Sequence, residues 1–338
     1  MKPFISFIVC SYNAPELILK CINSILKQDY YGKKEIIIVD GGSDEKTLEV
    51  LDRLKNEYKS IKILHNKNRL PEGYGRGKWL GWKKARGKYV FMIDQDNELQ
   101  GRDCVKEMLL PFKEKRVFGC ACRVKIDKND SLTNQYVALM GTDPFFAYRS
   151  LDGLINIKKI GKNKRKYSLI KMGPGNIIIT GGNCFVYNKD ILDKLGGYIQ
   201  DTQNIMNLVN SGYDCVAITK DAYTHHFAAK GFLNFIKKKV KWAKAYQYVR
   251  KKYTDFSYLP STKNERRKML INIFCIITIM PTLLLALKKM IETREKAWLL
   301  HPVLTFITGF IYLDYFLFPP VARIEARTNK RLFIFLNT

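Results

Sequence analysis

The sequence contains no Cys-x-x-Cys pair among its eight cysteines, and it has only four histidines. This excludes the common zinc-finger patterns, in which the metal ligands come in closely spaced pairs. The cysteines are scattered and mostly have apolar neighbours, which favours a reducing compartment over a disulfide framework. The apolar run at the N-terminus is too short for a signal peptide and no cleavage site follows it. We therefore expect the globular part of the chain in the cytoplasm.

Acidic residues are also scarce, because 31 Asp and Glu stand against 58 Lys and Arg, a formal net charge of +27. A surplus of this size indicates an anionic partner, such as a nucleic acid, a nucleotide or acidic lipid. Nucleic acid is disfavoured, because no recognised module with stacking aromatic residues is visible. A hydrophobic content of 46% excludes a disordered chain. The length of 338 residues predicts one large domain with an appendage.

Strand and helix signals alternate along the first hundred residues, and no internal repeat is visible. Short apolar runs typical of buried strands are followed by segments with apolar residues at helical spacing. The predicted strands are 4–10, 35–39, 61–65, 88–93 and, later, 176–180, and the predicted helices are 15–26, 47–58 and 77–85. This order predicts an α/β fold with an open, mainly parallel, Rossmann-like sheet and flanking helices. In such sheets, ligands bind outside the carboxyl ends of the strands.

The C-terminal third has a different character. A basic helix is predicted over 232–253, with apolar residues along one side and lysines over much of the rest. Residues 269–287 carry no charge and are long enough, as one helix, to cross a hydrocarbon layer of about 30 Å. Residues 297–318 form a second apolar stretch. We expect these stretches to form a hydrophobic helical hairpin in the cell membrane, and a pair of buried core helices is the alternative.

These patterns predict three parts: a domain over 1–230, a basic interfacial helix and linker over 231–268, and a membrane-associated region over 269–338. The segment between the hydrophobic helices, 288–296, is basic. If both helices cross the membrane, this segment lies on the far side, against the positive-inside tendency. A hairpin that enters one leaflet, or one that forms a homo-oligomer with a second copy, would remove the conflict. The basic helix is expected to be attracted to an anionic membrane surface, by roughly 1 kcal/mol for each nearby cation.

Two carboxylates, Asp94 and Asp96, follow the fourth predicted strand. They are hard oxygen ligands suited to Mg²⁺ or Mn²⁺, which bind through one or two carboxylates together with substrate phosphates. Alone, this pair is weak support for a metal site, because acids are common in turns. Polar turns at 11–13 and 40–43 also follow predicted strands. Three polar turns at one edge of the sheet predict a ligand site there.

Four blocks, 6–26, 36–51, 72–99 and 181–198, resemble the family-2 glycosyltransferases in order and spacing. The resemblance extends over about residues 4–230. It implies a GT-A fold and an enzyme that transfers a sugar, with inversion, from a nucleotide-diphosphate sugar. The implied donor is a UDP- or GDP-sugar, and the implied cofactor is Mg²⁺ or Mn²⁺.

The resemblance also implies a set of residues that bind the nucleotide-sugar. They are Cys10, Ser11, Tyr12, Asn13, Glu16, Asp40, Gly42, Ser43, Lys78, Asp94 and Gln95. Cys10 and Ser11 replace the proline or threonine that is commoner in the family. Asp40 matches the aspartate that hydrogen-bonds the base, although by itself it could cap a turn. Lys78 matches a basic or polar position near the phosphates, and a solvated helix charge is an equal alternative.

The metal ligands implied by the resemblance are Asp94, Asp96 and a later histidine. His225 and His226 both qualify, and His225 is preferred. A bound ion would neutralise charge on the departing nucleoside diphosphate.

Asp201 matches the aspartate that takes the acceptor proton, although Gln200 replaces the glutamate that usually precedes it. The competing interpretation makes Asp201 a helix N-cap. The turn formed by Gly181, Gly182 and Asn183 is expected near the acceptor, where glycines allow close approach of the backbone.

Three functions remain open at this level. The first is extension of a lipid-linked or cell-surface glycan by a membrane-associated enzyme. The second is a polyprenyl-phosphate sugar synthase, similar to dolichol-phosphate-mannose synthase, whose ionised acceptor needs no base. The third is a catalytically silent membrane scaffold. The histidine pair and the segment around Asp201 favour the first function.

Overall fold

The computed structural model describes residues 2–66, 73–141, 143–145, 162–173, 181–253 and 263–317. The strands are β1 Ile5–Ser11, β2 Lys34–Asp40, β3 Ile61–His65, β4 Tyr89–Asp94, β5 Asn97–Gln100, β6 Val117–Val124, β7 Lys162–Asn163, β8 Tyr167–Lys171, β9 Phe185–Asn188 and β10 Cys215–His226. The helices are α1 Pro15–Leu26, α2 Glu45–Glu57, α3 Gly73–Lys84, α4 Cys104–Leu109, α5 Leu132–Met140, α6 Lys189–Asp193, α7 Asp201–Asn210, α8 Phe232–Tyr253, α9 Lys263–Thr278, α10 Met280–Thr293 and α11 His301–Leu317. The strand predicted at 176–180 lies outside the described residues.

The first four strands and three helices confirm the predicted alternation. Helix α1 has the predicted bounds because Pro15 suits its first turn and because Ile18, Ile22 and Ile25 recur at helical spacing and are buried. Helix α2 begins earlier than predicted, because the Asp44 carboxylate accepts a hydrogen bond from the Thr47 backbone N–H and caps it. Local sequence signals therefore suffice for this half of the fold.

The strands form one sheet in the order β3-β2-β1-β4-β9-β6-β10-β8-β7, with β5 paired to β10 outside this path. Strands β1 to β4 pair with one another in parallel, as predicted. Strand β9 is antiparallel to both β4 and β6, so the second half of the sheet is mixed. The α/β class is confirmed, and the largest core consists of apolar residues from both halves of the sheet packed against α1, α2 and α4.

The chain forms two compact units. The first combines Met1–Lys125 with Asn156–His226 and contains the sheet. The second combines Ile126–Ile155 with Phe227–Thr338 and is helical where it is described. Its core includes Tyr136 of α5, which donates or accepts a 2.8 Å hydrogen bond with His301 Nδ1. The three-part division drawn from the sequence stays a prediction.

The prediction of one hydrophobic helix over 269–287 is corrected by the structure. Helix α9 ends at Thr278 and α10 begins at Met280, and the two helices are bent by 88°. Pro281 in the first turn of α10 offers no N–H to continue the hydrogen bonds of α9. Ile279 adopts φ of +59° and ψ of −39°, which is not a helical conformation and so interrupts the helix. We call α9 and α10 together the elbow.

The second predicted hydrophobic helix, 297–318, corresponds to a 3₁₀ turn over Lys296–Leu300 followed by α11. Among the described residues, Lys296–Tyr315 is the one continuous helical segment long and apolar enough to cross a membrane, and 56% of its apolar window is buried within the protein. The elbow would add a second span only if its two helices acted as one. Length and composition therefore allow one span or two and require neither.

Candidate active site

The parallel register of the first strands brings their carboxyl ends together. Ser11 lies opposite Asp40 in the pairing of β1 with β2, and Cys10 lies opposite Asp94 in the pairing of β1 with β4. The polar turns predicted to meet at one edge of the sheet therefore do meet.

Five of the predicted donor-binding residues lie between the end of β1 and the first turn of α1. Cys10 is half-buried, and desolvation raises the pKa of its thiol to about 12, so it is protonated near neutral pH. Ser11 is buried, and its hydroxyl oxygen has no hydrogen-bond partner among the described residues. Glu16 is exposed in the first turn of α1. A buried hydroxyl without a partner costs free energy unless a ligand or water meets it, so Ser11 points to a bound group.

Asp40 caps its own turn. Its carboxylate accepts hydrogen bonds from the backbone N–H of Gly42 at 3.0 Å and of Ser43 at 3.3 Å. Gly42 has φ of +83°, which favours glycine. The turn is tied to the first one, because the Asn13 N–H donates to Ser43 Oγ at 3.1 Å. These bonds fix the Asp40 carboxylate at the edge where the base of a nucleotide is expected.

Gln95 connects the turns after β1 and β4. Its Oε1 accepts from the Tyr12 N–H at 2.9 Å, and its Nε2 donates to the Tyr12 carbonyl at 3.0 Å. The side-chain amide thus makes both hydrogen bonds that a neighbouring strand would make. Gln95 thereby holds the backbone of Tyr12 in place, and its donor-binding role stays a prediction.

Lys78 of α3 lies between acids from two distant parts of the chain. Its Nζ is 3.0 Å from Asp94 Oδ1 and 3.4 Å from Asp201 Oδ2. It also donates a 2.7 Å hydrogen bond to the Gly182 carbonyl. The side chain is only 11% exposed, so the interpretation as a solvated helix charge is wrong.

Electrostatics explain why two acids can lie so close together. Desolvation alone would lower the pKa of Lys78, but the Asp201 and Asp94 carboxylates outweigh it and raise that pKa above its ordinary value. Desolvation raises the pKa of Asp94, and the Lys78 ammonium only partly offsets this. The ammonium therefore stays charged and supplies the positive charge that Asp94 and Asp201 need.

Asp201 is the first residue of α7, but it is not the N-cap. Gln200 occupies the cap position, and its side chain accepts a 3.0 Å hydrogen bond from the Gln203 N–H. The Asp201 carboxylate instead accepts a hydrogen bond from the Tyr198 hydroxyl and faces Lys78. The competing N-cap interpretation is therefore wrong, and the carboxylate is directed into the site.

The glycine turn makes room for this carboxylate. A Cβ atom added to Gly182 would lie 2.0 Å from Asp201 Oδ2. Gly181 has φ of +102°, and its added Cβ would lie 2.3 Å from the Tyr187 hydroxyl. Gly182 is required because its backbone approaches Asp201 closely. Gly181 is required both for close approach and for its positive φ. Asn183, the third member of the turn, contacts His226.

The two histidines differ in position because successive residues of a strand face opposite sides. His226 lies with Nε2 3.5 Å from Asp96 Oδ1 and with Nδ1 3.1 Å from Asn183 Nδ2. His225 is buried and pairs with Glu98 of β5 in the backbone register. Of the two, His226 is the histidine that lies beside Asp96, and which of them meets an ion stays a prediction.

Asp94, Asp96 and His226 offer the two carboxylates and one imidazole that suit Mg²⁺ or Mn²⁺. Within the part of the chain that the structure describes, no group of three or more His, Cys, Asp and Glu side chains is arranged to hold an ion. Lys78 and His226 instead engage Asp94 and Asp96. The residues fit the ion in their chemistry, and an ion would compete with these two side chains for the acids.

Three aromatic residues at this site, Trp82, Tyr187 and Tyr198, were not among the residues predicted from the sequence. Tyr198, which donates to Asp201, packs against Trp82 with ring centroids 6.0 Å apart and against Tyr187 with centroids 6.3 Å apart. All three are buried. The signal available in the sequence was Tyr198 itself, three residues before Asp201, but its contact with the acid depends on the fold.

Comparison with known proteins agrees with this geometry. The family model described as Glycosyl transferase family 2 matches residues 6–196. Glycosyltransferase GlyG of Streptococcus pneumoniae is 33% identical over 110 residues, 32% of this chain and 34% of that protein. Cholesterol galactosyltransferase of Borreliella burgdorferi is 33% identical over 100 residues, 28% of this chain and 26% of that protein. The matched region is thus about a third or less of the length of these relatives.

A solved structure extends the comparison to most of the chain. Mannosyltransferase PcManGT from Pyrobaculum calidifontis, in complex with GDP-Man and Mn²⁺, superposes with a TM-score of 0.57 at 15% identity. The superposition covers 93% of this chain and 88% of that one. This likeness shows a shared GT-A type of fold.

Proposed function

Because this chain belongs to glycosyl transferase family 2, we propose that it transfers a sugar, with inversion, from a UDP- or GDP-sugar in a reaction that needs Mg²⁺ or Mn²⁺. The observation that carries the proposal is the position of Lys78. Its ammonium touches Asp94, on the side expected for the donor, and Asp201, on the side expected for the acceptor. Transfer between two substrates requires that groups serving each lie within one small site.

Asp201 is the proposed base. It takes the proton from an acceptor hydroxyl while that oxygen forms a bond to the anomeric carbon from the face opposite the donor diphosphate. The bond from the anomeric carbon to the diphosphate oxygen breaks, and its electron pair leaves with the nucleoside diphosphate. The Tyr198 hydroxyl orients the carboxylate, and Gly182 lets the acceptor-side backbone lie close to it.

On the donor side, Asp40 and the turn around Ser11 would hold the nucleoside. Asp94, Asp96 and His226 would hold the divalent ion, which when bound neutralises charge on the leaving diphosphate. The PcManGT complex, which contains GDP-Man and Mn²⁺, supports a nucleotide-sugar and an ion of this kind.

The proposed acceptor is a lipid-linked or cell-surface glycan, reached from the cytoplasmic side of the cell membrane. The basic helix α8 and the exposed apolar residues of the elbow support attachment of the chain to a membrane surface. A relative named cholesterol galactosyltransferase supports an acceptor of lipid character. The same apolar surface would fit a polyprenyl phosphate, and with that ionised acceptor Asp201 would have no proton to take.

A donor panel tests the proposal. In a thermal unfolding screen with Mn²⁺, one class of nucleotide-sugar is expected to raise Tm by about 5 °C at 100 times its Kd, because ligand binding stabilises the folded state. Without the ion, the shift is expected to shrink. If no nucleotide-sugar shifts Tm with either ion, the chain is a silent scaffold and the proposed transfer is wrong.

Substitution of His226 distinguishes its proposed role as a metal ligand from the role of His225. His226→Ala is expected to raise the Mn²⁺ concentration for half-maximal donor binding by about 10-fold or more, since loss of an inner or outer metal contact costs that much. His225→Ala is the matched control, because it is adjacent but buried on the opposite side. We expect it to lower Tm and leave the Mn²⁺ requirement unchanged. The reverse pattern would restore His225 as the ligand.

A further inference from the structure

The elbow exposes a continuous series of large apolar side chains. Between residues 270 and 287 the exposed ones are Leu270, Ile271, Phe274, Ile277, Ile279, Met280, Leu284, Leu285 and Leu287. No charged residue occurs from Met269 to Leu287. Soluble proteins rarely show so many neighbouring apolar side chains to water, and such surfaces commonly meet another molecule.

The other side of the elbow is packed. Ile276, Thr282 and Ala286 are buried, and a Cβ added to Gly309 of α11 would lie 3.1 Å from Ile276 Cγ2. The inner face therefore belongs to the helical core of the second unit. The outer face is held in place by this packing and is not a loosely attached tail.

Three polar side chains in the uncharged part of the elbow make hydrogen bonds within the protein. Asn272 Nδ2 donates to the Phe145 carbonyl at 3.0 Å. Thr278 Oγ1 donates to the Phe274 carbonyl at 2.8 Å, and Thr282 Oγ1 donates to the Ile279 carbonyl at 2.6 Å. These amide and hydroxyl groups do not depend on water, which is the condition that a lipid environment imposes.

Cations lie at both ends of the apolar surface. Arg266, Arg267 and Lys268 precede it and are exposed, and Lys288 follows it directly. Acids are fewer on both sides, over 263–268 and over 288–296, although Glu292 pairs with Lys289 at 3.1 Å. Positive charge at both ends of an apolar surface complements the anionic headgroups that border a hydrocarbon layer.

The bend decides how such a surface can meet a bilayer. At 1.5 Å per residue, the uncharged parts of α9 and α10 are only about 15 Å and 12 Å long. With the observed bend of 88° and the tip pointing into the membrane, each arm would reach about 10 Å below the surface. That depth is within one leaflet of a hydrocarbon layer about 30 Å thick.

We propose that the elbow inserts, tip first, into one leaflet of an anionic membrane, with the cations on both of its sides at the same surface. This deepens the proposed function, because it says how the acceptor membrane is met. It also places the basic segment 288–296 on the same side as 266–268, which removes the conflict with the positive-inside tendency. The bilayer is favoured over a second copy of the chain because the cations bordering the apolar face would repel their counterparts across a symmetric contact.

Vesicle binding tests the insertion. The full chain is sedimented with vesicles of phosphatidylcholine containing 30% phosphatidylglycerol. Phe274→Glu combined with Leu284→Glu is expected to reduce the bound fraction at least 10-fold, because two charges must enter the hydrocarbon. Tyr31→Glu combined with Leu132→Glu adds the same charge at exposed apolar positions elsewhere and is expected to bind as the unaltered protein does.

Trypsin added outside sealed vesicles tests the topology. Cleavage is expected both at 266–268 and within 288–296 of the vesicle-bound protein, because both basic segments would lie on the outer side of the bilayer. Protection of 288–296 alone would mean that the elbow spans the bilayer, and equal vesicle binding by the two double variants would mean that another surface binds. If the unaltered protein does not bind vesicles, and Phe274→Glu with Leu284→Glu abolishes its self-association, the apolar face would be assigned to a second copy of the chain. Each of these results overturns the proposal.

Donor binding measured in detergent separates this inference from the proposed function. Phe274→Glu with Leu284→Glu is expected to keep the nucleotide-sugar Tm shift, because neither residue lies near Lys78 in the chain or within its structural unit. If the unaltered protein shows the nucleotide-sugar Tm shift but does not bind vesicles, the insertion is wrong and the donor site stands. If the unaltered protein shows no shift yet binds vesicles, the proposed transfer is wrong and the insertion stands.

Discussion

Asp94→Ala is expected to lower kcat/KM for sugar transfer by about 10³-fold or more and to remove the Mn²⁺ dependence of nucleotide binding. Two losses combine in this variant. The proposed ion loses a carboxylate ligand, and Lys78 loses the nearer of its two acids, 3.0 Å away. The ammonium would then pair with Asp201 alone, which holds the proposed base in a salt bridge. Isothermal titration with the donor nucleotide, with and without Mn²⁺, measures the first loss directly.

Asp52→Ala is the control for this change, because it removes an exposed acid from α2 and leaves the sheet edge intact. It is expected to keep both the turnover and the Mn²⁺ dependence. Asp94→Asn keeps the size of the side chain and is expected to fail almost as completely as Asp94→Ala, since the charge is what the ion needs. Normal turnover in either Asp94 variant would remove this residue from the metal site.

Asp201→Asn is expected to lower kcat by about 10²-fold or more while the donor Kd changes little. The amide keeps the shape of the carboxylate but cannot take a proton from the acceptor. Because Gln200, not Asp201, caps α7, the substitution should leave the helix and Tm nearly unchanged. Single-turnover measurements with saturating donor isolate the chemical step.

Gln200→Ala gives the opposite pattern and serves as the matched control. It removes the side chain that accepts from the Gln203 N–H, a loss of about 1 kcal/mol in folding free energy. We expect a lower Tm with kcat within a few-fold of the unaltered protein. A collapse of donor affinity in Asp201→Asn would show instead that the acid is structural, and an unchanged kcat would favour a phosphate acceptor that needs no base.

Much of the first structural unit could be predicted from the sequence because its signals are local. The bounds of α1, the buried run of β2 and the polar turns after β1, β2 and β4 follow from periodicity and turn chemistry over a few residues. Parallel register then brings the strand ends together without further information. The donor side of the site could be predicted from the sequence for this reason.

The acceptor side depends on contacts between distant segments, which no local pattern encodes. Lys78 and Asp201 are 123 positions apart, and only the fold shows that the lysine is buried between two acids. The choice between His225 and His226 required the phase of β10 relative to β5. Gln200 was overlooked as a cap because glutamine is not among the preferred N-cap residues.

The bend between α9 and α10 was not predicted, although a local signal for it is present in the sequence. Pro281 was visible within the uncharged run, and proline inside a helical pattern ends or kinks the helix. Counting charge alone gave a single helix long enough to cross the membrane. Local backbone chemistry, applied to the same residues, gives two short arms whose length matches one leaflet.

The most direct measurement is the anomalous scattering of Mn²⁺ in crystals grown with the donor nucleotide. We predict a manganese peak within coordination distance of Asp94 or Asp96, beside the diphosphate of the nucleotide. A nucleotide bound elsewhere, or bound at this edge with no manganese beside the two acids, would contradict it.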